Sequence, residues 1–333
     1  MTKKELISSK PVGNPVLIQN RSGNQGNFEL VVPALEGGLA FYWRDNDSET
    51  LPWQGPILFG QEVGQVDAVT MIQSNYGHVG NLELVARIGD KLAFFWCDLG
   101  VERQWNGPFF FSSVAVSGNP VLIQSRFGNQ GNFELVVPTI EGGLAFYWRD
   151  NDSETLPWQG PILFAQEVGQ VDAVTMIQSN YGHMGNLELV ARIGDKLAFF
   201  FRDSEADCQW HGPFFFGSVA VSGNPVLIQS RFGHQGNFEL VVPALGGGLA
   251  FYWRDNDSET LPWQGPILFA QEVGHIDAVT MIQSNYGHVG DLELVARIGD
   301  QLAFFWRDWE AKSQLHGPFF FVYNNSQLGE LHT

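Results

Sequence analysis

The string NPVLIQ begins at Asn14, Asn119 and Asn224, so the chain repeats itself at a fixed spacing of 105 residues. A strict period restricts the fold more than composition does, because each repeat has to bury its apolar face against its neighbours. Each 105-residue unit also holds a second, diverged copy, in which VTMIQ at 69–73 answers PVLIQ at 15–19. The chain thus reads as six repeats of about 52 residues, in three near-identical pairs. Residues 14–66 and 119–171 differ at five of 53 positions, so identity among odd repeats says little, and agreement between odd and even repeats says more.

Every repeat reads as four short strands. PVLIQ is aliphatic and β-branched, and FELVVP alternates so that Phe28, Leu30 and Val32 share one face. GLAFYWRD and GPILF follow, separated by Gly, Asn and Pro connections, and no repeat carries an amphipathic helical period. Four-stranded repeats of this length are propeller blades, whereas one open sheet of all these strands would expose its edges. The expected fold is all-β: a six-bladed β-propeller with four antiparallel strands per blade. The blades fall at 14–66, 67–118, 119–171, 172–223, 224–276 and 277–323, between a leading segment 1–13 and a tail 324–333. ELISS at 5–9 is a candidate extra outer strand for the last blade.

The net charge of −18, with no basic cluster beyond Lys3-Lys4, excludes the cationic stripe that nucleic acid or an anionic membrane surface requires. No apolar run approaches a membrane span, and MTKKELISSK lacks the apolar core of a secretory signal. The expected location is cytoplasmic by default, or outside by a non-classical route. Cys97 and Cys208 occupy non-equivalent repeat positions, so neither a disulfide nor a metal motif is implied. No catalytic residue, metal or cofactor is expected.

Two polar columns survive in all six repeats. The glutamines are Gln19, Gln73, Gln124, Gln178, Gln229 and Gln283, expected to organise hydrogen bonds near the axis. The glutamates are Glu29, Glu83, Glu134, Glu188, Glu239 and Glu293, each inside FELVVP or its LELVA variant. A mid-strand carboxylate between packed blades must find donors, so these are expected to be buried, hydrogen-bonded latches; Arg44, Arg87 and their equivalents are candidate partners. RDNDSE at 44–49, 149–154 and 254–259 reads as an Asx-type turn. Candidate ligand contacts lie in the loops. Trp53, Trp105, Trp158, Trp210 and Trp263 precede the Gly-Pro turn, and Asn24, Asn129, His78, His183 and His288 occupy one loop position. Indoles beside amides offer an apolar face for sugar C–H groups and polar atoms for hydroxyls.

The run of GNxELV, a Gly turn, LAFxW and WxGP resembles tandem single-blade propeller families, above all the bacterial propeller lectins of the Photorhabdus type. That resemblance spans residues 14–323 and implies fucose-like sugars bound between blades. The turns themselves differ (EGGLAFYW in odd repeats, GDKLAFFW or a close variant in even ones), and no site residue is carried over. Near-symmetric repeats suit multivalent binding better than an asymmetric catalytic centre. The leading expectation is a non-enzymatic, lectin-like protein binding glycans or glycoconjugates, as a monomer or small homo-oligomer. The alternatives are a protein-interaction scaffold, a symmetrised propeller without selected activity and, last, a hydrolase with an axial site.

Overall fold

The structure is a computed structural model and describes residues 12, 14–49, 53–76, 79–100, 103–182, 184–203, 208–284, 289–299, 301–307 and 315–321. ELISS, the tail, His78, His183 and His288 lie outside the described residues. The chain divides after Val171 into two compact units of three blades each. In the first, blade 1 holds Val16–Gln19, Phe28–Pro33, Leu39–Arg44 and Trp53–Phe59. Blade 2 holds Ala68–Gln73, Asn81–Ile88, Lys91–Asp98 and Trp105–Phe110, and blade 3 holds Val121–Gln124, Phe133–Pro138, Leu144–Arg149 and Trp158–Phe164. In the second unit, blade 4 holds Ala173–Gln178, Leu187–Ile193, Lys196–Arg202 and Trp210–Phe216. Blade 5 holds Val226–Gln229, Phe238–Pro243, Leu249–Arg254 and Trp263–Phe269, and blade 6 holds Ala278–Gln283, Leu292–Ile298, Gln301–Arg307 and Leu315–Phe321. Each blade is an antiparallel meander in sequence order, and the chain is a six-bladed β-propeller.

Packing runs from blade to blade. The inter-blade face of blade 1, with Val31, Leu39 and Phe41, meets Met71, Leu82, Leu84 and Phe95 of blade 2. Blades 4 and 5 meet likewise through Val190, Leu197, Phe199, Leu227, Phe238 and Leu240. The third and outer strands slip register between Phe41 and Trp43, opposite Gly55-Pro56. Gly55 sits at φ +107, and a Cβ there would lie 2.6 Å from the Phe41 carbonyl oxygen, so the close approach at this bulge admits only glycine.

First strands of successive blades lie side by side, Val16–Gln19 next to Ala68–Gln73 and Val226–Gln229 next to Ala278–Gln283. At their ends the glutamines tie blade to blade. Gln73 Oε1 accepts the Arg21 amide at 2.9 Å, and its Nε2 donates to the Val79 carbonyl at 2.8 Å. Gln124, Gln229 and Gln283 accept the amides of Asn75, Asn180 and Arg231 at 3.0, 3.0 and 2.7 Å.

The RDNDSE motif is a second joint, within the blade. Arg44 Nε donates to Asn46 Oδ1 at 2.9 Å, and Asn46 Nδ2 donates to the Gly26 carbonyl at 2.5 Å. Asp47 accepts the amides of Asn24 and Gln25 at 2.6 and 3.1 Å, and its own amide closes an Asx turn on Asp45 at 2.9 Å. Both carboxylate oxygens of Asp47, one of Asp45 and the Asn46 side-chain oxygen are therefore engaged by main-chain amides and by Arg44.

Candidate functional site

Strand alternation places Glu29 on the face of Val31, the face that meets the next blade. The same step repeats at each carboxylate. A polar side chain just after the blade's own first strand holds one oxygen: Asn20 Nδ2 donates to Glu29 at 2.6 Å. Serine takes that role elsewhere, with Ser74, Ser125, Ser179 and Ser230 donating to Glu83, Glu134, Glu188 and Glu239 at 3.0, 3.0, 2.9 and 3.1 Å. The following blade supplies a cation. Arg149 acts on Glu83 and Arg254 on Glu188 through space, and Arg307 Nη1 stands 3.8 Å from Glu239. Burial dominates over these favourable neighbours and pushes Glu83 and Glu188 up to about 7 and Glu239 to about 8. Glu293 is half-buried, and its carboxyl is raised by burial.

The guanidinium comes from the end of the third strand, at Arg149, Arg254 and Arg307. Blade 2 has Cys97 in that column, and the charge arrives instead from the loop six residues later. Arg103 Nη1 lies 2.9 Å from both oxygens of Glu29, and its guanidinium carbon is 4.9 Å from the centre of the Trp43 ring. Arg87 and Arg192, also candidates from sequence, point elsewhere, to Asp67 and Asp172 at 3.4 and 3.3 Å.

Between blades 4 and 5 the same columns frame a cavity of about 400 Å³. Blade 4 contributes Tyr181, Glu188, Phe199, Phe201 and Phe214, and blade 5 contributes Arg254, Thr260, Leu261 and Trp263. Arg254 is buried against the rings of Phe238, Phe199 and Tyr181, at 4.2, 4.9 and 5.5 Å, and its Nε donates to Asn256 at 2.9 Å. Stacking on three rings and one fixed hydrogen bond hold the guanidinium in place. Glu188 Oε1 takes the Ser179 hydroxyl, while its buried Oε2 has no hydrogen-bond partner. Leu261 is held at φ +46, a left-handed backbone that costs a leucine about 1–2 kcal/mol. Such an outlier marks a wall fixed by its surroundings. Tyr181 secures the loop by donating to the Asn256 carbonyl at 2.6 Å.

The counterpart residues between blades 2 and 3 repeat this geometry. Arg149 lies over Phe133, Phe94 and Tyr76 at 4.1, 4.9 and 5.8 Å, the Tyr76 hydroxyl donates to the Asn151 carbonyl, and Leu156 sits at φ +47. The groove between blades 4 and 5 offers aromatic walls, one unpaired carboxylate oxygen on Glu188 and one anchored guanidinium. It can stack the C–H face of a polar ring while accepting and donating hydrogen bonds to hydroxyls.

The tryptophans expected in loops instead open the outer strands, each pairing at the strand's first position, and they divide into two kinds. Trp53 is 46 % exposed. Trp105, Trp158 and Trp263 each stack one ring face, on Phe59, Phe111 and Phe216 at 4.4, 4.5 and 4.5 Å, and keep a buried indole N–H without a partner. Trp210 is half-buried. Asn24 and Asn129 are exposed at loop tips, anchored by their main-chain amides to Asp47 and Asp152. The sequence points to Arg44 and its equivalents as partners for the glutamates, and the periodic pattern does not mark Phe201, Phe214 and Leu261 as walls or Arg103 as a substitute cation. Cys97 standing where the other repeats have arginine, with an extra arginine six residues on, is the signal for the last.

No protein-family model matches the chain, and no curated protein sequence does. Solved structures are similar in fold. The BP39L lectin from Burkholderia pseudomallei aligns with a TM-score of 0.70 at 17% identity, over 92% of this chain and 84% of that one. The Aleuria aurantia lectin AAL, solved with Fucα1-6GlcNAc, aligns at 0.58 and 13% over 93% and 96%. An ulvan lyase of a polysaccharide lyase family aligns at 0.56 and 11% over 90% and 82%. The fold-level similarity includes propeller lectins, and no family model or sequence relative ties the chain to the Photorhabdus type.

Proposed function

We propose that the chain is a non-enzymatic, multivalent carbohydrate-binding propeller whose sugar sites are inter-blade grooves of the kind between blades 4 and 5. The observation that carries this reading is the unpaired Oε2 of buried Glu188 at the edge of an aromatic cavity beside Arg254. A buried acceptor without a donor costs about 1–3 kcal/mol, and a ligand hydroxyl would recover it. The glutamate and arginine balance in charge, which favours a neutral sugar over a uronate or a sulfate. The apolar walls Phe201, Phe214 and Leu261 suit a deoxy sugar carrying a methyl group. Lectins of similar fold, among them a fucose-specific lectin from Aleuria aurantia, point the same way. Glycoside hydrolysis uses two carboxyl groups across the scissile bond, whereas among the described residues Glu188 is the one carboxylate lining this cavity.

A glycan array followed by calorimetric titration with L-fucose tests the proposal. Glu188→Gln combined with Glu83→Gln should weaken binding about tenfold, since a neutral amide oxygen is a weaker acceptor than a carboxylate oxygen. No glycan bound by the wild-type chain, or binding indifferent to both substitutions, overturns it. Capture of a protein partner that no sugar competes away would favour the scaffold reading instead.

A further inference from the structure

The groove between blades 1 and 2 is assembled from the same columns as the one between blades 4 and 5, but a side chain occupies its interior. Arg103 and Leu261 hold the same place in their blades, two residues before the tryptophan that opens the outer strand. Leu261 turns aside at φ +46 and becomes a wall of the cavity. Arg103 reaches inward, grips both oxygens of Glu29 at 2.9 Å and covers the Trp43 ring. With Asn20 also donating at 2.6 Å, Glu29 has a donor on each oxygen, whereas Glu188 Oε2 has none. Trp43 and Phe201 are equivalent positions on their third strands, and Phe201 faces the cavity while Trp43 lies under the guanidinium.

From this juxtaposition we infer that Arg103 is an internal plug: it stands where a ligand would stand, so the blade 1–2 groove binds no sugar and the chain carries two non-equivalent classes of inter-blade groove. This rests on the carbohydrate-binding reading and deepens it by saying which grooves count. The plug follows from Cys97. Without an arginine at the end of the third strand, Glu29 would be a buried carboxylate with no cation, and the loop arginine supplies one at the cost of the cavity. Where Arg254 supplies the charge from the strand, flattened on its rings, the loop residue is released to form a wall.

The test is a reciprocal exchange read by calorimetric stoichiometry with L-fucose, alongside circular dichroism and thermal unfolding to verify folding. Cys97→Arg with Arg103→Leu rebuilds the blade 5 pair in blade 2 and should add about one binding equivalent per chain. Leu261→Arg imports the plug and should remove about one; it keeps the proposal falsifiable if the double variant does not fold. A folded variant whose stoichiometry equals that of the wild type overturns the plug and leaves the carbohydrate reading standing. If the wild-type chain gives no heat with any sugar on the array, the carbohydrate reading fails, and the plug is judged from the crystal structure of the double variant. An open cavity beside Glu29 there supports it, and a filled one overturns it.

Discussion

The blade 1–2 and blade 4–5 grooves differ by the position of one positive charge, and on the proposed function that displacement separates a structural carboxylate from a ligand-binding one. At Glu29 the charge is part of a closed hydrogen-bonded pair, so the carboxylate works only as a latch. At Glu188 it is immobilised on aromatic rings to one side, so the carboxylate, a lining residue of the cavity, keeps one buried oxygen without a hydrogen-bond partner. A residue type repeated six times therefore does not imply a role repeated six times.

The comparison can be broken most forcefully at Arg103. Arg103→Ala strands the carboxyl of Glu29 and should cost about 3 kcal/mol in denaturant unfolding at pH 8. The loss should shrink at pH 5, because burial has already pushed Glu29 up to about 7 and the freed group takes up a proton. A loss equal at both pH values would deny the ion pair its importance. Next in size is a contrast of sign. Glu29→Gln should destabilise by about 1–2 kcal/mol, whereas Glu188→Gln, which removes a buried charge with an empty acceptor, should be neutral or stabilising by up to about 1 kcal/mol. Equal effects at the two positions would erase the distinction between the grooves.

The pH dependence of the wild-type chain is the third prediction. Glu83 and Glu188 take up protons near 7 in the folded chain and near 4.5 when unfolded. Between those values the folded state binds more protons, so these groups make stability rise as pH falls from about 8 to 5. Sugar affinity should run the other way, rising with pH through about 7, because a ligand hydroxyl donates to the ionised form. Urea midpoints and fucose titrations across that range check both slopes; parallel slopes would contradict the acceptor role of Glu188. The smallest effect is expected at Leu261→Gly. Relief of the left-handed backbone offsets glycine's entropy, so stability should change by less than about 1 kcal/mol while selectivity for a deoxy sugar relaxes.

The architecture was legible because the 105-residue spacing, the period-two FELVVP strands and the Gly-Pro punctuation all state the same blade. The glutamate column was legible for the same reason: a carboxylate in an apolar strand requires donors. The grooves were harder to read. Trp105, Trp158 and Trp263 look alike in sequence to exposed Trp53, yet each stacks on a phenylalanine of the preceding blade, a contact that depends on how neighbouring sheets meet. Leu261 lines the cavity because of its backbone angle, and nothing in LPW announces a left-handed leucine. Arg103 was visible only as a departure from the repeat, legible once the columns are aligned and the arginine missing at Cys97 is sought.

The glutamine joints have a consequence for how such a chain grows. Gln73, Gln124, Gln229 and Gln283 each bond a main-chain amide of the preceding blade, belonging to Arg21, Asn75, Asn180 and Arg231 in turn. Since every residue except proline carries that amide, the coupling places no demand on the side chain next door. An even blade can follow an odd one, or the reverse, through the same fastening. A gene that copies a blade pair thereby copies a connector that already fits, and the loops around it are free to diverge into plugs and pockets.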